Sequence, residues 1–256
     1  MQTLWQDLRF GARMLVKRPG FTLIAVVTLA LGIGANTAIF SVVNAFLLRP
    51  LPYREPERLV MIQPRPAADY GAVFSYPVFQ AVREQSGSFE HLAAFANRRL
   101  TFDGGGEPEM AFGARVTREF FAVLGVTPWR ARGFAPEDEA PDKPPLALLS
   151  YSFWQRRFGG DPNIVGQTIT ADKERVEIAG VLPHGFKTDL LPDFPKCEFW
   201  LLLKPGPRLP ASYNINEFRF VGRLKTGVTL AQARGELDLL AQRFRQNNPQ
   251  AGDCTV

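Results

Sequence analysis

The hydrophobic pattern divides the chain at once. Residues 21–48 (FTLIAVVTLALGIGANTAIFSVVNAFLL) hold no charged side chain over 28 positions. As an α-helix this run measures roughly 42 Å, against about 30 Å for the hydrocarbon core of a bilayer. It predicts a transmembrane helix over 21–48, with tilt or an extension past the bilayer taking up the excess. A cleaved signal peptide has an apolar stretch of about 7–15 residues followed by small residues. This run is longer and ends in Phe46, Leu47, Leu48 and Arg49, so it reads as an uncleaved anchor. Before it, Leu4, Trp5, Leu8 and Leu15 are spaced for a short amphipathic segment on the cytoplasmic surface, which Pro19 and Gly20 should end.

Within the run, Ala30, Gly34 and Ala38 recur every four residues and put small side chains on one helix face. Thr37, Ser41 and Asn44 add a polar stripe. Short polar residues are tolerated in any span, but small and polar positions coincide in the outer half. That coincidence predicts a helix-packing face built from Ala30, Gly34, Thr37, Ala38, Ser41 and Asn44.

Beyond Arg49 the pattern shortens and alternates. Residues 49–56 form a proline-stiffened linker. Leu59 to Gln63 reads as a strand, and Pro77 to Gln85 as a helix with proline in its first turn. Leu100 to Asp103 and Met110 to Val116 read as a hairpin around three glycines, with Met110, Phe112, Ala114 and Val116 on one face. Thr117 is placed to cap a helix that Gly125 closes. The acidic run Pro136 to Pro145 lacks the alternating ligands and glycine of a calcium loop and reads as a solvated loop.

Leu146 to Leu149 is a buried strand candidate, followed by a helix over Tyr151 to Phe158. Residues 167–171 and 175–181 form a second hairpin, and 198–203 and 218–224 are further strands. Thr229 with Gln232 makes a capping box for a helix striped by Leu230, Ala233, Leu237, Leu240 and Phe244. Strands and helices alternate irregularly, so the class is α+β.

Composition refines this picture. The chain has 256 residues and a net charge of +5, with a pI near 9.4 and a mean hydropathy of −0.08. Near-zero hydropathy suits one span on a soluble remainder. Arg9, Arg13, Lys17 and Arg18 against Asp7 give residues 1–20 a net of +3, which leaves +2 for the rest. The basic residues therefore place the N-terminus in the cytoplasm and everything after Arg49 outside. They form no basic stripe for nucleic acid.

The candidate chemistry is sparse. His91 and His184 have no ligand partner at helical or turn spacing, and no G-x-S-x-G elbow occurs. Residues 161–168 (DPNIVGQT) come nearest to a phosphate loop, but Asp161 and Gln167 stand where it needs glycine and lysine. The chain is therefore not itself the ATPase, and no enzyme, cofactor or metal site is expected. Cys197 and Cys254 are not in a metal spacing, and whether they pair stays open.

Residues 11–53 resemble the first span of MacB-like ABC transporter permeases, in particular the large duplicated FtsX/MacB-type forms. The blocks 116–126 (VTREFFAVLGV), 148–162 (LLSYSFWQRRFGGDP), 164–168 (IVGQT) and 180–186 (GVLPHGF) resemble the MacB-like periplasmic core domain in order and spacing. The resemblance implies an α+β periplasmic domain of two subdomains over 49–256, carried on one inner-membrane helix. It implies a permease component that couples a cytoplasmic ATPase to the periplasm. Its partners would be the lipid bilayer, that ABC-type ATPase, and further permease spans or a second permease copy. A membrane-anchored sensor or binding domain is the alternative. Two departures stand out. Arg132-Gly133-Phe134 replaces the family's Gly-Arg-x-Phe, and the family continues into further spans where this chain stops at Val256. The expectation is a fragment of a longer permease, with its core incomplete at the C-terminus.

Overall fold

The structure, a computed structural model, describes residues 13, 17–43, 53–63, 74–103, 107–186, 188, 196–204 and 217–248. The chain divides into two units, residues 1–51 and 52–256.

In the first unit, helix α1 runs from Pro19 to Val43, about 37 Å at the standard rise. Its stretch Pro19–Phe40, with a mean hydropathy of 2.1, is long and apolar enough to cross a membrane. Arg13 and Lys17 are helical and Arg18 is not, and the helix resumes at Pro19, so Pro19 and Gly20 form the first turn of α1. A proline in the first turn lacks an N–H that no carbonyl there requires, and the Thr22 N–H already donates to the Arg18 carbonyl at 3.1 Å. Residues 44–48 of the expected span, and most of the expected amphipathic segment, lie outside the described residues.

The second unit is a mixed sheet with helices on both faces. In chain order its elements are β1 (Leu59–Ile62), α2 (Tyr76–Gln85), β2 (Phe89–Phe102), β3 (Glu109–Val116), α3 (Phe120–Leu124), β4 (Arg130–Ala131), β5 (Leu146–Leu149) and α4 (Tyr151–Phe158). Then come β6 (Thr168–Ala171), β7 (Glu174–Val181), β8 (Phe199–Leu202), β9 (Arg219–Leu224) and α5 (Leu230–Asn247). The strands lie in the order β1-β9-β2-β3-β8-β5-β7-β4, and β6 pairs with both β2 and β7. The β3–β8 and β5–β7 pairs are parallel.

Two hydrophobic cores lie along this sheet. In the first, α2 and α5 bring Val78, Phe79, Ala233 and Leu237 onto Leu92, Ala94, Ala96 and Phe220. In the second, α4 brings Phe153 and Trp154 onto Phe102, Ile178 and Phe199. Phe102 stands 5.1 Å from Phe153 and 5.2 Å from Phe199, ring centre to ring centre. Each such buried side chain contributes about 1.5–3 kcal/mol. Both cores lie within the one unit over residues 52–256. Strand β2 supplies residues to both, so they share one sheet.

Several elements depart from expectation. Thr117 does not cap α3. It is buried, and its Oγ1 accepts from the Ala94 N–H at 3.1 Å, so the helix begins at Phe120 with Glu119 before it. Gly125 does close α3, at φ 70°. The acidic loop is not wholly solvated. Asp138 is buried, and Arg132 Nη2 donates to its Oδ1 at 2.7 Å. The face shared by Met110, Phe112, Ala114 and Val116 is covered at one end only. Ala114 and Val116 are buried, whereas Met110 and Phe112 are exposed, with the Arg99 guanidinium 4.6 Å from the centre of the Phe112 ring.

Candidate functional site

Two features bear on function: the small-residue face of α1 and the anchoring of the chain's connections to the sheet. On α1, successive residues advance by roughly 100°. Thr37, Ala30, Ser41, Gly34 and Ala38 therefore fall within an arc of roughly 100°. Ala30, Gly34 and Ala38 are exposed, and a Cβ on Gly34 would meet open space. The Thr37 Oγ1 donates to the Ile33 carbonyl at 2.7 Å, so its donor is satisfied within its own helix. Asn44 lies outside the described residues, as does the side chain of Ser41.

At the start of the second unit, residues 55–58 are fixed by two arginines from opposite ends of the sequence. Arg58 Nε and Nη2 donate to the Leu224 carbonyl at 2.9 and 2.6 Å, and Nη1 donates to Glu55 Oε2 at 2.7 Å. Nη2 also pairs with Glu90 on β2, and the hydrogen bond from Arg58 holds the Glu90 carboxyl below its ordinary range. Arg223, on β9, is buried; its Nε donates to the Val123 carbonyl at 2.8 Å and its Nη1 to the Glu55 carbonyl at 3.3 Å. Burial lowers the Arg223 pKa, and Arg58 adds to the effect; a guanidinium still stays charged at physiological pH. Between these two arginines Glu55 takes φ 45°, a left-handed conformation costing a non-glycine residue on the order of 1 kcal/mol.

The last helix is fixed to the same region. Glu236 on α5 accepts from Ser86 Oγ at 2.8 Å, from the Gly87 N–H at 2.6 Å and from the Ser88 N–H at 3.0 Å. Burial pushes the Glu236 carboxyl up, and the hydrogen bonds from Ser88, Gly87 and Ser86 outweigh it, so its pKa lies below the ordinary value. Both the leading segment and α5 therefore grip residues 86–90: Arg58 through Glu90, and Glu236 through Ser86 to Ser88.

Among the described residues no three His, Cys, Asp or Glu side chains converge on a metal-sized site. Cys197 is buried, and burial pushes its thiol up to about 12, far from a reactive thiolate. Cys254 lies outside the described residues.

The model of the MacB-like periplasmic core domain matches residues 22–240. The chain belongs to the MacB-like periplasmic core domain family. No curated protein sequence gives a significant match, but solved structures share the fold. The extracellular domain of the noncanonic ABC-type transporter YknZ from Gram-positive bacteria is 16% identical, with a TM-score of 0.55 over 77% of this chain and 97% of that one. The periplasmic region of MacB from Actinobacillus actinomycetemcomitans is 11% identical, with a TM-score of 0.55 over 76% and 86%. A domain of a putative permease protein from Porphyromonas gingivalis is 16% identical, with a TM-score of 0.55 over 78% and 89%. This MacB-like core thus takes the fold of the extracytoplasmic domains of transporter permeases.

The sequence reading did not single out Arg58, Arg223 or Glu236. Their partners lie 166, 100 and up to 150 positions away, and most are main-chain groups, which leave no residue-type signal.

Proposed function

We propose that this chain is a non-catalytic permease component of an ABC transporter, in which α1 and the extracytoplasmic core couple a cytoplasmic ATPase to the far side of the membrane. The observation that carries this reading is the extent of the family match. It begins at residue 22, inside α1, and ends at residue 240, inside α5. One family model therefore takes in residues of both the helix and the core, which favours a permease over a generic anchor joined to an unrelated domain. One solved relative of the same fold is the extracellular domain of an ABC-type transporter.

The physical arrangement suits coupling. Within the core, the clamps at Arg58, Arg223 and Glu236 hold the leading segment and the last helix to the sheet. Arg9, Arg13, Lys17 and Arg18 favour a cytoplasmic N-terminus, where an ATPase would engage. The lipid bilayer, an ABC-type ATPase, and further permease spans or a second permease copy are the partners of this reading.

The test is contact with the ATPase. With the full chain co-expressed with an ABC ATPase from the same genome, photo-cross-linkers at positions 9, 13 and 17 should trap that ATPase, with a yield that changes on adding ATP. A correctly inserted chain that gives no cross-link from any of these positions contradicts the reading.

A further inference from the structure

Three chain segments meet at the Val181 end of β7. Strand β4 pairs Arg130 with Val181, and the Trp129 N–H donates to the Val181 carbonyl at 2.9 Å. Strand β5 pairs Leu149 with Val181, and α4 then begins at Tyr151. His184 lies on the turn that follows β7. The side chains they bring together form a cluster of rings. Trp129 stands 5.8 Å from both Tyr151 and Trp154, and Tyr151 stands 5.4 Å from Trp154 and 5.0 Å from His184, ring centre to ring centre.

Trp154 is the floor of this cluster. It is buried, and its Nε1 donates to the Asp161 carbonyl at 2.9 Å. Trp129 is 52% exposed despite its neighbours. A single exposed aromatic ring needs no explanation, but the polar groups around this one are unused. The Arg130 guanidinium lies 4.7 Å from the Trp129 ring centre and 5.8 Å from that of Trp154. It forms no ion pair or hydrogen bond among the described residues. Of its nitrogens only Nε is buried without a partner, so Nη1 and Nη2 keep access to solvent. The Tyr151 hydroxyl accepts from Gln155 Nε2 at 3.3 Å, which leaves its own proton free to donate. His184 is exposed and makes no hydrogen bond among the described residues.

We propose that this surface binds an acidic sugar, a hexuronate unit of an oligosaccharide. The C–H groups of a sugar ring carry partial positive charge and pack on the negative face of an aromatic ring, here the exposed part of Trp129. The carboxylate takes the Arg130 guanidinium beside that ring, whose fork suits it. The hydroxyls take the Tyr151 proton and the His184 ring nitrogens. A neutral sugar would leave Arg130 unmatched, and a simple aliphatic acid would leave Tyr151 and His184 without partners. An acidic peptide would match Arg130 but lacks the hydroxyls that surround a sugar ring.

Titration calorimetry on the full chain, in a detergent without a sugar headgroup, tests this with tetragalacturonate as the probe. Maltotetraose, which has the rings without the charge, and tetraglutamate, which has the charge without the rings, are the controls. Tetragalacturonate should bind saturably, and both controls should bind at least about tenfold more weakly. Trp129→Ala and Arg130→Gln should each weaken tetragalacturonate by a similar factor. His184→Ala should weaken it about threefold or more while leaving the Tm of the empty protein unchanged, because His184 is exposed and makes no hydrogen bond. The proposal is overturned by no binding of tetragalacturonate at up to about 10 mM, by either control binding as well as tetragalacturonate, or by affinities unchanged in both Arg130→Gln and His184→Ala. The ATPase cross-linking test does not depend on any of these outcomes.

Discussion

The Arg58 guanidinium joins the start of the core to its last strand by donating twice to one acceptor, the Leu224 carbonyl, at 2.9 and 2.6 Å. Leu224 ends β9, and the chain then passes through a short turn into α5. One side chain therefore ties the segment that opens the second unit to the strand that leads into the final helix.

Replacing Arg58 by alanine leaves the Leu224 carbonyl without its donors and removes the partner of Glu90. A buried acceptor left unpaired costs about 1–3 kcal/mol, so Arg58→Ala should lower the unfolding free energy by about 2 kcal/mol. Arg58→Lys should recover only part of this, since one ammonium cannot reproduce the guanidinium fork. Denaturant titration of the full chain in detergent reads both values. An unchanged midpoint for the alanine variant would show that the clamp contributes nothing.

Acid should weaken the core through two carboxylates. Hydrogen bonding from Arg132 holds the Asp138 carboxyl below its ordinary value, and Glu236 is lowered as well, its hydrogen bonds outweighing burial. Because the folded-state pKa values lie below the unfolded ones, the unfolded chain takes up protons first. The stabilisation is fully present above the unfolded range, about pH 4, and is lost as pH falls through the folded values. Glu236→Gln and Asp138→Asn should therefore each flatten the fall in Tm between about pH 5 and pH 3. Parallel melting curves for parent and variants throughout that window would contradict the assignment.

The sheet junction depends on Gly113. A Cβ there would come within 2.6 Å of two Phe199 ring carbons, where β3 pairs with β8 in parallel. Overpacking of this kind typically costs 1–3 kcal/mol, so Gly113→Ala should destabilise the core by about 2 kcal/mol. Gly34→Ala, where a Cβ meets open space, is the control. Equal melting temperatures for the two variants would contradict this close approach.

Some of this fold is written locally and some is not. The start of α5 is legible because Thr229 and Gln232 satisfy each other's main-chain N–H groups, at 3.2 and 2.9 Å. Strand β5 is legible because all four of its residues are apolar, and all four are buried. Strand β2 is not, because its surroundings change along its length. Residues 92–96 are buried on both faces, whereas Asn97, Arg98 and Arg99 are exposed, so neither alternation nor a continuous apolar run marks its fourteen residues. The acidic loop misleads for a related reason. Asp138 is buried only because Arg132 pairs with it, and composition does not announce that pairing. The clamps at Arg58 and Glu236 exist only once distant strands have paired.

The small face of α1 should matter wherever another helix meets it. Close helix approach in membranes depends on small residues, with interhelical hydrogen bonds adding on the order of 0.6–2 kcal/mol each. Gly34→Leu should lower self-association in a membrane two-hybrid assay, whereas Leu23→Ala and Val27→Ala should change it little. The opposite ranking would remove any packing role from Ala30, Gly34, Thr37, Ala38, Ser41 and Asn44.

The most direct measurement is topology. Fusions of the chain at residues 20 and 60 to a reporter active only outside the cytoplasm place both sides of α1, and the N-terminal sequence of the mature protein shows whether it is cleaved. The account predicts an inactive reporter at 20, an active reporter at 60 and an uncleaved chain. An active reporter at 20, an inactive one at 60, or a mature protein that begins after residue 40 would contradict an extracytoplasmic core held by a membrane helix.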